Sequence, residues 1–146
     1  MSRQELEKTL GRVPFLSTLG VRVEEVKPGA VVLRLPSTQG NRNFDGVIDA
    51  AAVFAVGQLA AAVALGTHPN LVDLEALQKG ASIKYVGTSK KDITAHAEVT
   101  EEMVSAIRSA LEGGEKGQVE MPVQVLDGHG DDVAELTALF GFRFKI

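Results

Sequence analysis

The chain changes rhythm several times between helical and strand spacing of its apolar positions. Ser2-Arg-Gln-Glu5 has the spacing of a capping box, and Leu6 and Leu10 follow four residues apart, which predicts a short helix over 2–10. Residues 14–20 read as a further helical turn closed by Gly20. Val21, Val23 and Val26 suit a strand, Pro28-Gly29 a turn, and 30–35 the returning strand of a hairpin. A polar loop over 36–46 then runs into the most distinctive stretch. From Val47 to Leu65 only Asp49 and Gln58 interrupt small and apolar residues, and Gly66 and Pro69 end the run. The second half is strand-rich. Residues 71–86 read as one long strand with a bulge at Gly80, and 91–100 alternates Ile93, Ala95, Ala97 and Val99 against Asp92, Thr94, His96 and Glu98. Met103, Val104, Ile107 and Leu111 share a helical stripe over 101–111, and 118–126 with 133–145 flank the turn-rich 127–132 as a closing hairpin.

A helix that is apolar on every side must be surrounded, because any open face leaves hydrocarbon in water. In so short a chain only a strongly curved antiparallel sheet can wrap such a helix. The expected class is therefore α+β: a long central helix wrapped by a curved antiparallel sheet of about five or six strands. One flank stays open even then, and a second copy of the chain is the simplest cover, which points to a homodimer, or a homotetramer built from it.

Length and composition narrow the function. At 146 residues the chain is read as a single domain over 1–146, with an N-terminal helical segment over 1–18. A net charge of −4 and no basic cluster longer than Lys90-Lys91 argue against a nucleic-acid partner. The absence of cysteine excludes disulfides, thiolate metal sites and a thiol nucleophile. The charged N-terminus lacks an apolar signal region, and an Asp in the first turn of the apolar helix would be costly in lipid. A soluble cytoplasmic protein with no membrane role is the expectation. His96 and Glu98 share one strand face, but zinc needs three or four ligands. The acidic turn at Asp127 lacks the bidentate Glu of a calcium loop, since Ala138 stands there. No metal is expected.

Residues 19–36, with their Pro28-Gly29 turn, followed by Asn43-Phe-Asp-Gly46-Val-Ile-Asp49-Ala-Ala-Ala-Val-Phe54, resemble the hotdog-fold acyl-CoA thioesterases, in particular their phenylacetate-pathway-like and DUF4442-like branches. Similarity extends over roughly 11–146, with 81–86 resembling the strand that faces the ligand. The resemblance implies a hotdog fold, a site between subunits, an acyl-CoA substrate and no cofactor beyond the coenzyme A of that substrate. Asn43 and Gly46 occupy their family positions. Asp49 stands for the usual His, Ala51 for the following Gly, and Gln58 for the helix carboxylate.

Nine residues at about 100° each place Asp49 and Gln58 half a turn apart, on opposite sides of one helix. In a two-fold dimer Asp49 of one subunit could approach Gln58 of the other. Asp49 reads either as a helix-start carboxylate, a role for which Asp45 competes, or as a general base. Gln58 reads as a buried amide bonded across the dimer or as a group that orients water, and Asn43 as a turn former or a ligand-orienting amide. The backbone N–H groups of Ala50, Ala51 and Ala52 could polarise a thioester oxygen, and Ser82 and Lys84 could touch ligand. Arg42, Lys90 and Lys91 could meet coenzyme A phosphates. Three functions remain open at this stage: hydrolysis of acyl-CoA by direct water attack, non-catalytic binding of acyl-CoA or fatty acyl groups, and a structural module without ligand.

Overall fold

A computed structural model describes residues 1–146. Two short helices, α1 (Arg3–Gly11) and α2 (Pro14–Leu19), precede the hairpin β1 (Arg22–Lys27) and β2 (Ala30–Leu35). The long helix α3 (Ala50–Thr67) follows, then β3 (Leu74–Tyr85), β4 (Ile93–Glu98), α4 (Glu101–Glu112), β5 (Gly117–Leu126) and β6 (Asp132–Phe144). The six strands form one antiparallel sheet in the order β1-β2-β4-β5-β6-β3. The order leaves β1 and β3 as the two edges, although β3 is third in sequence.

Alternation along each strand fixes which face is buried. Leu33 lies opposite Ala95, Ala95 opposite Val125, and Val125 opposite Ala134. This row and its neighbours Leu35, Ile93, Met121 and Leu136 are almost wholly buried beneath α3. Gly57 sets how closely the helix approaches, since a Cβ there would come within 3.2 Å of the Leu136 Cδ1. At the far end, the Pro28-Gly29 turn takes φ +80 at Gly29, a conformation that suits glycine, and lies against His68. His68 is 4% exposed and its Nδ1 accepts from the Asn70 N–H at 3.1 Å, so the proton sits on Nε2, which donates to Glu101 at 3.2 Å. This histidine pins the end of α3.

The bulge expected near Gly80 is present: the β3–β6 register shifts between Gln78 and Gly80. The helix begins at Ala50 rather than Val47, because Val47 closes a loop hydrogen bond and Ile48 pairs with Arg42. It is the one helix long and apolar enough to cross a membrane, and most of it is enclosed by the protein's own sheet.

Candidate functional site

The loop that delivers α3 is anchored from within. Asn41, 3% exposed, donates its side-chain amide to the carbonyls of Leu19 (2.8 Å) and Pro36 (2.9 Å), and its own carbonyl accepts from the Asp49 N–H at 2.8 Å. Arg42 donates to the Ser37 carbonyl at 2.7 Å and to its hydroxyl at 3.1 Å. That hydroxyl donates to the Lys90 carbonyl at 2.7 Å, and the Ser37 N–H reaches Asp92 at 2.9 Å. The Ser37 N–H, helped by Arg34 and opposed by partial burial, holds the Asp92 carboxyl below the usual carboxylate range. Arg42 and the Lys90 backbone are thereby gathered around Ser37, and Ser89 next to them accepts from the Ile48 N–H just before α3. Sequence reasoning singled out Asn43 and passed over Asn41, since two asparagines in one polar loop look alike until their partners are known.

Asn43 folds the next turn. Its Oδ1 accepts from the N–H groups of Asp45 (2.9 Å) and Val47 (3.4 Å), its N–H donates to the Val47 carbonyl at 2.8 Å, and its carbonyl accepts from Gly46 at 3.1 Å. Gly46 sits at φ +76, which favours glycine there. Phe44 projects from the tip of this turn, fully exposed.

Asp49, not Asp45, caps α3. Its Oδ2 accepts from the Ala51 N–H at 2.9 Å, and its carbonyl accepts from Ala52 (3.0 Å) and Val53 (3.1 Å). Ala51 and Ala52 have therefore spent their amides on Asp49, which leaves the Ala50 N–H as the free donor of the three. The second carboxylate oxygen, Oδ1, has no partner within the chain. A carboxylate oxygen and an N–H are thus left without partners at the positive end of a helix dipole. The hydroxyl of Tyr85, at the end of β3, donates to the Ala50 carbonyl at 2.9 Å.

Gln58 lies elsewhere. Among the positions of α3 that are not fully covered, Ala51, Phe54, Gln58, Ala62 and Gly66 recur at helical spacing and form one open stripe, with Leu59 at its border. Gln58 is half-buried at its centre, with no hydrogen bond to the chain. Nine residues separate it from Asp49, about 13 Å of helical rise and half a turn. One protomer does not bring the two together. Nor does it bring Ser82 and Lys84 to them. These lie opposite Thr137 and Glu135 on the outer face of β3, while Ile83 packs into the core and Tyr85 reaches α3. The side of this strand that meets the helix is Ala81–Ile83–Tyr85, not Ser82–Lys84. A spacious groove of about 700 Å³ also lies on the outer face, lined by Val32, His96, Pro122, Gln124 and Thr137, behind the sheet from Asp49. No three His, Asp or Glu side chains converge as a metal-binding group.

A family model for a domain of unknown function, DUF4442, matches residues 3–140. No curated protein matches the sequence. Among solved structures, the chain is similar to PA5026 of Pseudomonas aeruginosa, described as a protein of unknown function and probable thioesterase. The two are 25% identical with a TM-score of 0.89, over 99% of this chain and 97% of that one. Thioesterase HI1161 of Haemophilus influenzae superposes with a TM-score of 0.76 at 9% identity, over 99% and 92% of the two chains. A mutant of thioesterase PA1618 of Pseudomonas aeruginosa gives 0.77 at 9% identity, over 99% and 96%. With a long helix against a six-stranded antiparallel sheet, and a helix start built by the Asn43–Asp49 loop, the chain belongs to the DUF4442 family and has the hotdog fold of these thioesterases.

Proposed function

We propose that the protein hydrolyses acyl-CoA thioesters by direct attack of water, at a site completed by a second copy of the chain. The observation that carries this reading is the state of Asp49: one oxygen is held by its own helix, and the other is free, as is the N–H of the next residue, Ala50. Asp49 takes a proton from water as the water oxygen bonds to the thioester carbonyl carbon. The carbonyl oxygen, now carrying negative charge, meets the Ala50 N–H and the helix N-terminus. Collapse of this intermediate breaks the C–S bond, and the departing thiolate receives the proton from Asp49. The products are the free acid and coenzyme A, and no cofactor takes part.

The open stripe of α3 and the free edge of β3 support a homodimer, since both leave apolar or hydrogen-bonding groups uncovered on one side of the protomer. Across a two-fold axis, Gln58 of the partner subunit would orient the water or the carbonyl. The acyl group, medium to long or aromatic, would lie along Ala51, Phe54 and Ala62, with Asn43 and Gly46 shaping the entrance. Arg42 and Lys90 stand at that entrance for the phosphates.

The neutral amide of Gln58 favours a second reading, a protein that binds acyl-CoA without turning it over. Purified protein tested against a panel of acyl-CoAs, beside Asp49→Asn and Gln58→Glu, separates the two. Turnover abolished by Asp49→Asn supports hydrolysis. Binding without turnover supports the second reading, especially where Gln58→Glu gains activity. Neither binding nor turnover leaves a structural module.

A further inference from the structure

Tyr85 ends the edge strand on its inner face, opposite Ala134 and two residues beyond the core residue Ile83. The residue is 46% exposed. Its hydroxyl donates to the Ala50 carbonyl at 2.9 Å, one residue from Asp49. That carbonyl belongs to the first residue of an α-helix, where the N–H four residues later is its regular partner. The phenol is therefore a second donor on an acceptor that does not need it, and its departure orphans no buried group. The bond is also the one polar tie between the end of β3 and the start of α3, made to the residue whose N–H is free and next in sequence to Asp49, whose Oδ1 is free.

We propose that Tyr85 contacts the substrate: its O–H leaves Ala50 and donates to the carbonyl oxygen of the bound acyl thioester, beside the Ala50 N–H. This rests on the acyl-thioester reading above and adds to it the second donor that a developing oxyanion requires. A phenol suits the role at neutral pH because it donates without carrying charge. The strand alternation that turns Ser82 and Lys84 outward is what turns Tyr85 toward the helix start.

The test uses two probes on the full chain. One is an octanoyl-CoA analogue with NH in place of the thioester sulfur, which keeps the carbonyl and resists hydrolysis. The other is octyl-CoA, a thioether with no carbonyl. Calorimetry on the wild type and Tyr85→Phe is expected to show about a tenfold loss of affinity for the amide in the variant, and none for the thioether. Tyr85 is the chain's one tyrosine and there is no tryptophan, so ultraviolet emission of the wild type reports on this ring alone. That emission should change more with the amide than with the thioether. A merely structural tie predicts a lower melting temperature for Tyr85→Phe with both affinities changed alike, and that result overturns the assignment while leaving the acyl-thioester reading intact. Failure of both probes to bind the wild type overturns both.

Discussion

The two edges of the sheet are built in opposite ways. β1 is short, carries Arg22, Glu24, Glu25 and Lys27, is bulged between Val23 and Glu25, and lies under α1. At Val23 the helix supplies both missing partners: Glu7 accepts from its N–H at 2.9 Å, and Arg3 donates to its carbonyl at 3.3 Å. The Val23 N–H, with Arg22 and against some burial, holds the Glu7 carboxyl below its usual value. β3 shares a bulge, at Gly80, and carries Glu75, Lys79 and Lys84, but it lacks the cover. It runs for twelve residues from Leu74 to Tyr85, no helix covers its outer edge, and Ala76, Leu77, Ala81 and Tyr85 are exposed along it. Edge strands are normally blunted by charge, bulges or cover because a bare row of N–H and C=O groups recruits another strand. One edge of this sheet is closed against that outcome and the other is left ready for it. The open stripe of α3, centred on Gln58, leaves a second surface uncovered.

The largest expected effect follows from closing the second edge in the manner of the first. Ala81→Lys adds a charge to Lys79 and Lys84 near the middle of β3, and antiparallel pairing of this edge with a second copy about a two-fold would bring these like charges together. Like charges so placed cost several kcal/mol, so self-association should weaken by at least about a hundredfold and turnover should vanish with it. Sedimentation at micromolar concentration reads the change, and a variant that remains an active dimer contradicts the role given to β3. Next comes Asp49→Asn. Asparagine caps helices about as well as aspartate, so the melting temperature should stay within a few degrees while kcat falls by about 10²–10⁴-fold. A parallel loss of fold and activity would return Asp49 to a purely structural role.

The elements of the fold differ in how far the sequence alone makes them legible. The helix and the hairpins follow from periodicity, because apolar spacing is the dominant local signal, and the bulge follows from a glycine set inside a strand pattern. The face of β3 that meets α3 was also open to inference, since Ile83 and Tyr85 carry the apolar side of the alternation, yet the polar pair Ser82 and Lys84 drew attention as ligand groups. The cap could not be chosen between Asp45 and Asp49 because both precede a good helix. What decides it is a distant contact: the Asn41 carbonyl holds the Asp49 N–H, and Asn43 takes the Asp45 N–H for its own turn. The closed edge was invisible for the same reason, as nothing local pairs Glu7 with Val23.

Smaller effects sharpen the contrast from the closed side. Glu7→Ala removes the acceptor at Val23 and should cost about 1 kcal/mol, or about 2–4 °C in melting temperature. Oligomeric state and kcat should not move, because this edge lies away from the helix start. The smallest is a pH effect. With its folded value below the ordinary one, the Asp92 carboxyl contributes stability that is complete above its unfolded value and lost as the pH falls through the folded value. Asp92→Asn should flatten that acid limb of a thermal-stability profile by lowering stability at neutral pH, and leave the acid end nearly unchanged. A limb that keeps its slope would mean Asp92 does not couple the 36–42 loop to β4.

The most direct test is subunit mixing. Asp49→Asn and Gln58→Ala are purified separately, and each should be impaired in turnover of an acyl-CoA substrate. They are then unfolded together and refolded as a mixture. If each site takes its aspartate from one subunit and its glutamine from the other, a heterodimer holds one intact site, and the mixture should recover about a quarter of wild-type turnover. A mixture no more active than the two variants alone would contradict a site shared between subunits.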